Sequence, residues 1–227
     1  MPIPNNGWPV QEIVMSLSAG ATKSKPKSTT VKGSHAQHGY HFLKEFLSRP
    51  GRIGAVAPSS PRLCKRMVEM LDLRGARAVV EYGPGTGVCT DAILPALPRS
   101  CRFFAVELNP SFAQIWRNRH PDQKLHCDSA SNIAAICERE GVTQIDEIFS
   151  GLPWASFPEK LQREILSATL PMLRPGGHLV TFAYQVGKLT PAGRRFSRLL
   201  PEYFSKIERS EVVWRNLPPA FVVRCTK

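Results

Sequence analysis

Short apolar runs alternate with amphipathic stretches in the chain from residue 78 onward. Runs rich in β-branched and aromatic residues cover 78–82, 103–107, 124–127, 145–150 and 178–184. The stretches between and after them are long enough for helices, at 88–97, 110–118, 129–140, 159–172 and 190–200. Strands that alternate with helices predict an α/β fold, in which a parallel sheet is covered by helices on both faces.

Two further apolar runs close the chain, at 206–214 and 220–226, and only RNLPP separates them. A connection this short cannot cross over a sheet, so the two runs predict an antiparallel hairpin. The complete prediction is a seven-stranded sheet with five parallel strands and a C-terminal antiparallel pair.

The first 77 residues do not show this alternation. Residues 1–34 are rich in Pro, Ser, Thr, Gly and Lys, a composition that predicts a disordered basic tail. Apolar residues at helical spacing from Tyr40 to Leu47 predict a helix over about 36–48, and Ser60 is expected to cap a second helix. The chain therefore divides into a tail (1–34), N-terminal helices (35–77) and an α/β core (78–227).

The net charge of +12 is distributed unevenly. Residues 1–77 hold 12 Lys and Arg against 4 Asp and Glu, whereas residues 78–227 hold 18 against 14. A basic N-terminal third indicates a polyanionic partner, either nucleic acid or an anionic membrane. The first 20 residues contain Glu12 and lack a basic segment, so they do not predict a secretory signal. No apolar run approaches the ~18 residues that a membrane span needs.

The cysteines and histidines do not suggest a metal site. The six cysteines are scattered without a CxxC pair. His38 and His41 have no carboxylate or cysteine at ligand spacing. We therefore predict that no metal is bound and that the cysteines are small buried residues in a reducing cytoplasm.

The sequence Glu81-Tyr82-Gly83-Pro84-Gly85-Thr86-Gly87 directly follows the first predicted strand. Glycines at this point let the backbone turn sharply and let a ligand approach it closely. Glu107 ends the second predicted strand, 24 residues beyond Gly83, close to the spacing at which an acid binds ribose hydroxyls. No lysine in the loop is placed to hold phosphates, so the pattern favours a ligand with a ribose and no phosphate.

These motifs resemble those of class I S-adenosylmethionine-dependent methyltransferases, and the resemblance covers residues 78–227. It implies a Rossmann-like seven-stranded sheet and S-adenosylmethionine as cofactor. The glycine loop would lie under the methionine moiety, Glu107 would hold the ribose, and the step after strand three would flank the adenine. The cofactor-binding residues implied in this way are Glu81, Gly83, Gly85, Gly87, Glu107, Asp128, Ser129 and Ser150.

The whole chain more narrowly resembles bacterial phospholipid N-methyltransferases and ornithine lipid N-methyltransferases. The matching segments include FLKEFLSRPGRIGAVAPSS (42–60), SGLPW (150–154) and RNLPPAFVVR (215–224), although the long N-terminal tail is unusual for the group. The resemblance implies direct in-line methyl transfer to the primary amine of phosphatidylethanolamine or an ornithine lipid. It also implies a monomeric protein at the inner face of the membrane. The basic N-terminal region independently predicts contact with anionic lipid, although packing of the helix at about 36–48 on the core explains its apolar face equally well.

Four residues are candidates for handling the amine. Tyr184 ends the fifth predicted strand, where its hydroxyl can orient the amine. Trp154 and Tyr40 can enclose the amine and the methylated cation through cation–π contact. Asn216 can accept a hydrogen bond from the amine. Core packing explains Trp154 and Tyr184 equally well, and no residue is predicted as a general base.

Two other functions remain open. An rRNA adenine dimethyltransferase would carry an Asn at the start of the loop after strand four, where this chain has Gly151. Glycine has no side-chain acceptor for an adenine amine, so we expect no nucleic-acid partner. A methyltransferase-fold binding protein without activity is disfavoured by the intact set of Glu81, Gly83, Gly85 and Glu107.

Overall fold

The computed structural model of the chain describes residues 59–227. The predicted tail, the predicted helix at about 36–48 and the candidate Tyr40 lie outside the described residues. The first described helix, α1 (Pro61–Glu69), begins as expected: the Ser60 hydroxyl accepts a hydrogen bond from the backbone N–H of Leu63. Pro61 occupies the first turn of the helix, where a backbone N–H would have no intrahelical acceptor, so the lack of one in proline is harmless.

A seven-stranded sheet forms the centre of the described region. Its strands are β1 (Ala78–Tyr82), β2 (Arg102–Val106), β3 (Lys124–His126), β4 (Ile145–Ser150), β5 (Leu173–Tyr184), β6 (Lys206–Val213) and β7 (Ala220–Thr226). They lie in the order β3-β2-β1-β4-β5-β7-β6. Strands β1 to β5 are parallel, and β7 is antiparallel to both of its neighbours. The predicted Rossmann-like sheet with its C-terminal hairpin is confirmed.

Helices cover both faces of the sheet, which was also predicted. The remaining helices are α2 (Thr90–Ile93), α3 (Pro110–Arg119), α4 (Ile133–Glu140), α5 (Glu159–Met172) and α6 (Pro191–Leu199). Alternate residues of β1 point to opposite faces: Val80 packs in a core with α4 to α6, and Val79 packs in a second core with α1 to α3. None of the described helices is long and apolar enough to cross a membrane.

Several element boundaries differ from the prediction. The helix expected at 88–97 is α-helical only over Thr90–Ile93 and continues as a 3-10 turn, Leu94–Ala96, because Pro95 has no N–H to donate. Strand β5 begins at Leu173 rather than 178, since Leu173 already pairs with Ile145. Strand β2 ends one residue before Glu107, which therefore begins the following loop.

The prediction of unpaired, buried cysteines was wrong for several positions. A disulfide joins Cys64 of α1 to Cys89, which directly precedes α2. Cys127 is exposed and Cys101 is partly exposed, and only Cys137 and Cys225 are buried free thiols. Sequence separation hides the pairing, because packing of α1 against α2 brings together two residues that lie 25 positions apart.

Candidate active site

A cavity of about 330 Å³ opens at the carboxyl ends of the parallel strands. Its wall comes from the loops after β1, β2 and β4, from the end of β5 and from α6. The order of the strands reverses between β1 and β4, which are neighbours in the sheet. Ligands of open α/β sheets bind in the crevice outside such a reversal.

The glycine loop lies beneath this cavity in a conformation that requires glycine. Gly83, Gly85 and Gly87 all have positive φ angles, of 65°, 57° and 87°. A Cβ atom on Gly83 would lie 2.8 Å from the side chain of Leu152, and one on Gly87 would lie 2.6 Å from His120 Nε2. Gly83 and Gly87 therefore leave no room for a side chain, and Gly83 and Gly85 present bare backbone to the cavity.

The loop after β4 is pressed against the glycine loop at Gly151. The Gly151 N–H donates a 2.7 Å hydrogen bond to the Tyr82 carbonyl. A Cβ on Gly151 would stand 2.6 Å from the Gly83 carbonyl oxygen, a backbone atom that cannot move aside freely. This backbone therefore has no room at position 151 for the Asn of an adenine-methylating site.

Glu81 reaches the cavity from within the sheet. It is 1% exposed, and its Oε2 accepts a 2.6 Å hydrogen bond from the Thr90 hydroxyl. That hydroxyl in turn accepts a 2.8 Å hydrogen bond from Trp116 Nε1. Burial raises the pKa of Glu81 to about 8, which the bond from Thr90 only partly offsets. Thr90 and Trp116 were missed from sequence, although a buried indole N–H signals that a partner must exist.

Glu107 meets the glycine loop from the next strand. Its Oε2 accepts a 3.1 Å hydrogen bond from the Gly85 N–H, and its Oε1 accepts one of 2.8 Å from the Asn109 N–H. Burial raises the pKa of Glu107, while these backbone donors act in the opposite direction. The structure thus brings Glu81, Glu107, Gly83 and Gly85 together at the cavity.

Four other predicted cofactor residues, Gly87, Asp128, Ser129 and Ser150, are not in the described wall of the cavity. Asp128 comes shortly after β3, the edge strand that pairs with β2. Its N–H donates a hydrogen bond to the Glu107 carbonyl. Its carboxylate accepts from Ser129 N–H at 2.8 Å and from Asn132 Nδ2 at 2.7 Å. Ser150 is fully buried, and its hydroxyl accepts a 3.0 Å hydrogen bond from Trp154 Nε1. The role of each of the eight predicted residues in binding the cofactor stays a prediction.

Asn216 also lies outside the described wall, and both polar atoms of its side chain have partners. Its Oδ1 accepts a 2.9 Å hydrogen bond from the Ser60 N–H, and its Nδ2 donates one of 2.7 Å to the Pro218 carbonyl. The side chain is 3% exposed. In this structure Asn216 fastens the β6–β7 turn to the start of α1 instead of presenting its carbonyl to an amine.

Aromatic side chains make up the wall opposite the glycine loop. Trp154 is 2% exposed and stacks on Phe196, with ring centroids 5.1 Å apart. Tyr184 ends β5, lines the cavity and contacts the ring of Phe182 edge-on at 5.5 Å. Burial raises the pKa of the Tyr184 phenol, so the group keeps its proton at neutral pH. Trp154 is thus part of a packed wall, while Tyr184 presents a hydroxyl.

The acidic groups of the cavity suit a positively charged ligand, because a cation favours their ionised form. The described wall of the cavity contains two carboxyl groups, those of Glu81 and Glu107, and no Lys, Arg or His. Within residues 59–227 no group of three or more His, Cys, Asp and Glu side chains is placed to hold a metal. A bare glycine backbone, two acids and an apolar wall fit S-adenosylmethionine, which combines a ribose with a permanently charged sulfonium.

Comparison with known proteins identifies the family. No protein-family model matches the chain. The chain is 32% identical over 187 residues to the ornithine lipid N-methyltransferase of Singulisphaera acidiphila. This alignment covers 72% of this chain and 97% of that protein. It is also 34% identical over 74 residues to ribosomal RNA small subunit methyltransferase A of Chlorobium phaeobacteroides. This second alignment covers 33% of this chain and 27% of that protein.

A solved structure supports the fold. The O-methyltransferase TomG from Streptomyces achromogenes, determined in complex with S-adenosylmethionine, superposes with a TM-score of 0.59 at 20% identity over 97% of both chains. The cofactor of this chain is S-adenosylmethionine, and the enzyme is a methyltransferase. The chain belongs to the ornithine lipid N-methyltransferase family of class I S-adenosylmethionine-dependent methyltransferases.

Proposed function

We propose that this enzyme methylates the primary amine of a membrane aminolipid head group, with an ornithine lipid as first candidate and phosphatidylethanolamine as second. The observation that carries the proposal is the similarity to an ornithine lipid N-methyltransferase over 97% of that protein's length. The chemistry of the cavity supports it, because its aromatic wall suits a neutral amine and its two carboxyl groups suit the cation that methylation leaves.

The first requirement of the reaction is a neutral amine. An alkylamine has a pKa of about 10.4 in water, so only about one molecule in a thousand is neutral at pH 7. Burial against Phe182, Phe196 and Phe221, which line the cavity, disfavours the charged form and lowers the amine pKa. The wall thereby selects the form that has a free lone pair.

Tyr184 would orient the amine. Its phenol is kept protonated by burial, and its oxygen can accept a hydrogen bond from an amine N–H. When bound, S-adenosylmethionine supplies a methyl group on a sulfonium, the electrophile that such an amine attacks. Glu81, Glu107 and the glycine loop would hold the cofactor, and the aromatic wall would exclude water. The proton that the amine loses passes to water at the mouth of the cavity.

An rRNA substrate is the second candidate, favoured by the local match to a ribosomal RNA methyltransferase. That match covers a third of the chain, whereas the lipid enzyme matches nearly three quarters of it. The absence of space for a side chain at Gly151 also argues against hydrogen-bonded recognition of an adenine amine at that position.

The test is methyl transfer from labelled S-adenosylmethionine to three separate acceptors: ornithine-lipid vesicles, phosphatidylethanolamine vesicles and unmodified rRNA. We expect label in lipid and none in rRNA.

Tyr184→Phe is expected to lower kcat by about tenfold, the worth of one hydrogen bond, with the affinity for cofactor unchanged. Tyr203→Phe is the matched control, since it removes a phenol hydroxyl that does not line the cavity. Label in rRNA alone would refute the proposal.

A further inference from the structure

Three large hydrophobic side chains are exposed among the residues that the structure describes. Val186 is 56% exposed, Trp214 is 72% exposed and Leu217 is 80% exposed. We call these three residues the rim patch. Single exposed hydrophobic residues are ordinary, but a tryptophan and a leucine exposed three positions apart in one turn are candidates for an interaction surface.

The rim patch lies beside the mouth of the cavity. Val186 follows Tyr184 by two residues and precedes Gly187, and both of these line the cavity. Trp214 and Leu217 belong to the β6–β7 turn, which is tied to the same place because the Gln185 N–H donates a 2.8 Å hydrogen bond to the Pro219 carbonyl. A surface that bound the rim patch would therefore lie next to the entrance for substrate.

The β6–β7 turn is held firmly in this arrangement. Between the two exposed hydrophobic residues stands Asn216, which is 3% exposed. Its N–H donates to the Val213 carbonyl at 3.2 Å, and its side chain bonds to Ser60 and Pro218. The turn thus buries its amide and displays its tryptophan and leucine, the reverse of the usual preference.

The charge around the rim patch is positive. Arg215 is exposed between Trp214 and Asn216. Helix α6, which helps to line the cavity, carries Arg194, Arg195 and Arg198. The segments 185–200 and 214–227 contain no Asp or Glu at all. Hydrophobic side chains beside arginines complement an anionic surface that has an apolar interior.

We propose that the rim patch docks on an anionic lipid bilayer, with Trp214 and Leu217 inserted among the head groups. Tryptophan suits the membrane interface because its ring is apolar and its N–H can stay hydrated. Three side chains are too few for a stable protein interface, which covers about 800 Å² on each partner. The proposal rests on the proposed function for its lipid substrate, and it places that substrate's head group at the cavity mouth.

Vesicle binding by the full chain tests this docking without any methyl transfer. The vesicles contain phosphatidylglycerol and phosphatidylcholine, neither of which carries a primary amine. Trp214→Ser with Leu217→Ser is expected to lower the partition coefficient by roughly tenfold or more. Trp214→Phe with Leu217→Met keeps the apolar character and is expected to bind as the parent does. Unchanged thermal unfolding and cofactor affinity show that both variants are folded.

Fluorescence quenching gives a second measurement on the parent surface. Trp116 and Trp154 are buried, so Trp8→Phe leaves Trp214 as the exposed tryptophan among those remaining. Vesicles with brominated acyl chains should quench its emission. Absence of quenching, or vesicle binding by the double serine variant equal to the parent's, would overturn the docking proposal. A blue-shifted Trp214 emission before vesicles are added would also overturn it, because another part of the chain or a second copy would then cover the rim patch.

The two proposals fail in distinguishable ways. Quenching of Trp214 by brominated lipid, with no aminolipid methylated, would retain the docking surface and refute the proposed substrate. Methylation of an aminolipid, with Trp214 unquenched and the double serine variant fully active on vesicles, would retain the substrate and refute the docking surface.

Discussion

At the scale of single residues, the active site depends on two positions that are glycine and so carry no side chain. Gly83 and Gly151 let two loops from neighbouring strands touch through their backbones, joined by the bond from Gly151 N–H to the Tyr82 carbonyl. The contact fixes the position of the glycine loop at the cavity. A methyl group at the contact would separate the loops.

Gly151→Ala is expected to weaken S-adenosylmethionine binding by at least tenfold, because its Cβ would lie 2.6 Å from the Gly83 carbonyl oxygen. Gly187→Ala is the matched control: Gly187 lines the same cavity, but a Cβ there meets nothing within 4 Å. Isothermal titration of both variants with the cofactor gives the comparison. Equal affinities would show that the loop contact is not needed.

Glu81 is expected to make cofactor binding depend on pH. Its pKa of about 8 means that the carboxyl is mostly protonated, and therefore neutral, below pH 8 in the free enzyme. A cationic cofactor prefers the ionised form, whose fraction rises up to tenfold for each pH unit below the pKa.

The affinity for S-adenosylmethionine is therefore expected to rise from pH 6 to pH 8, by up to about tenfold per unit, and to level off above pH 8. Glu81→Gln cannot ionise and should show weak binding without this rise. Titration calorimetry across this range measures both proteins. An equally steep rise in the Gln variant would assign the titration to another group.

At the scale of elements, a chain of hydrogen bonds ties two helices to the cofactor site. Trp116 of α3 donates to the Thr90 hydroxyl at the start of α2, and this hydroxyl donates to Glu81 of β1. All three side chains are buried, with no more than 1% exposed. The relay sets the orientation of Glu81, so Thr90 and Trp116 are positioning residues.

Thr90→Val keeps the shape of the side chain and removes both hydrogen bonds. We expect it to cost about 1–3 kcal/mol of stability, because an indole N–H and a carboxyl oxygen lose their partner. It should also move the pH midpoint of cofactor binding above 8, since the Thr90 bond lowers the pKa of Glu81. Thr90→Ser retains the hydroxyl and should restore the midpoint. An unmoved midpoint in the Val variant would mean that the relay does not tune Glu81.

The Cys64–Cys89 disulfide is a second link between elements, joining α1 to the residue before α2. Cys89 also lines the cavity. A cross-link that closes a loop of this length stabilises a protein by about 3 kcal/mol. Urea unfolding with and without dithiothreitol should show a loss of that size on reduction, and Cys64→Ala with Cys89→Ala should make the reductant ineffective. Six reactive thiols in the denatured, unreduced protein would rule the disulfide out.

At the scale of the whole molecule, periodicity was enough to predict the sheet and its hairpin. The glycine loop and Glu107 could be placed as well, because strand ends and glycine spacing are local signals. The rest depends on packing between distant segments. Nothing local shows that Thr90 meets Glu81, that Cys64 meets Cys89, or that Asn216 turns inward to bond Ser60. These contacts arise only when α1, α2 and the β6–β7 turn close around the sheet.

Under the two proposals, the described surfaces would share one orientation at a membrane. The cavity opens at the carboxyl end of the sheet, and the rim patch and the arginines of α6 lie at the same end. Under the proposed function, the basic N-terminal region would add attraction to anionic lipid. An aminolipid could then enter the cavity head first from the bilayer.

The most direct test of the central claim is mass spectrometry of ornithine lipid after incubation with the purified enzyme and S-adenosylmethionine. We predict mass increases of whole methyl groups, with fragmentation locating each one on the primary amine of the head group. Methylated ornithine lipid with this pattern would establish the acceptor and the atom. Unmodified ornithine lipid and phosphatidylethanolamine, from an enzyme that binds the cofactor and methylates rRNA or another acceptor, would contradict the claim.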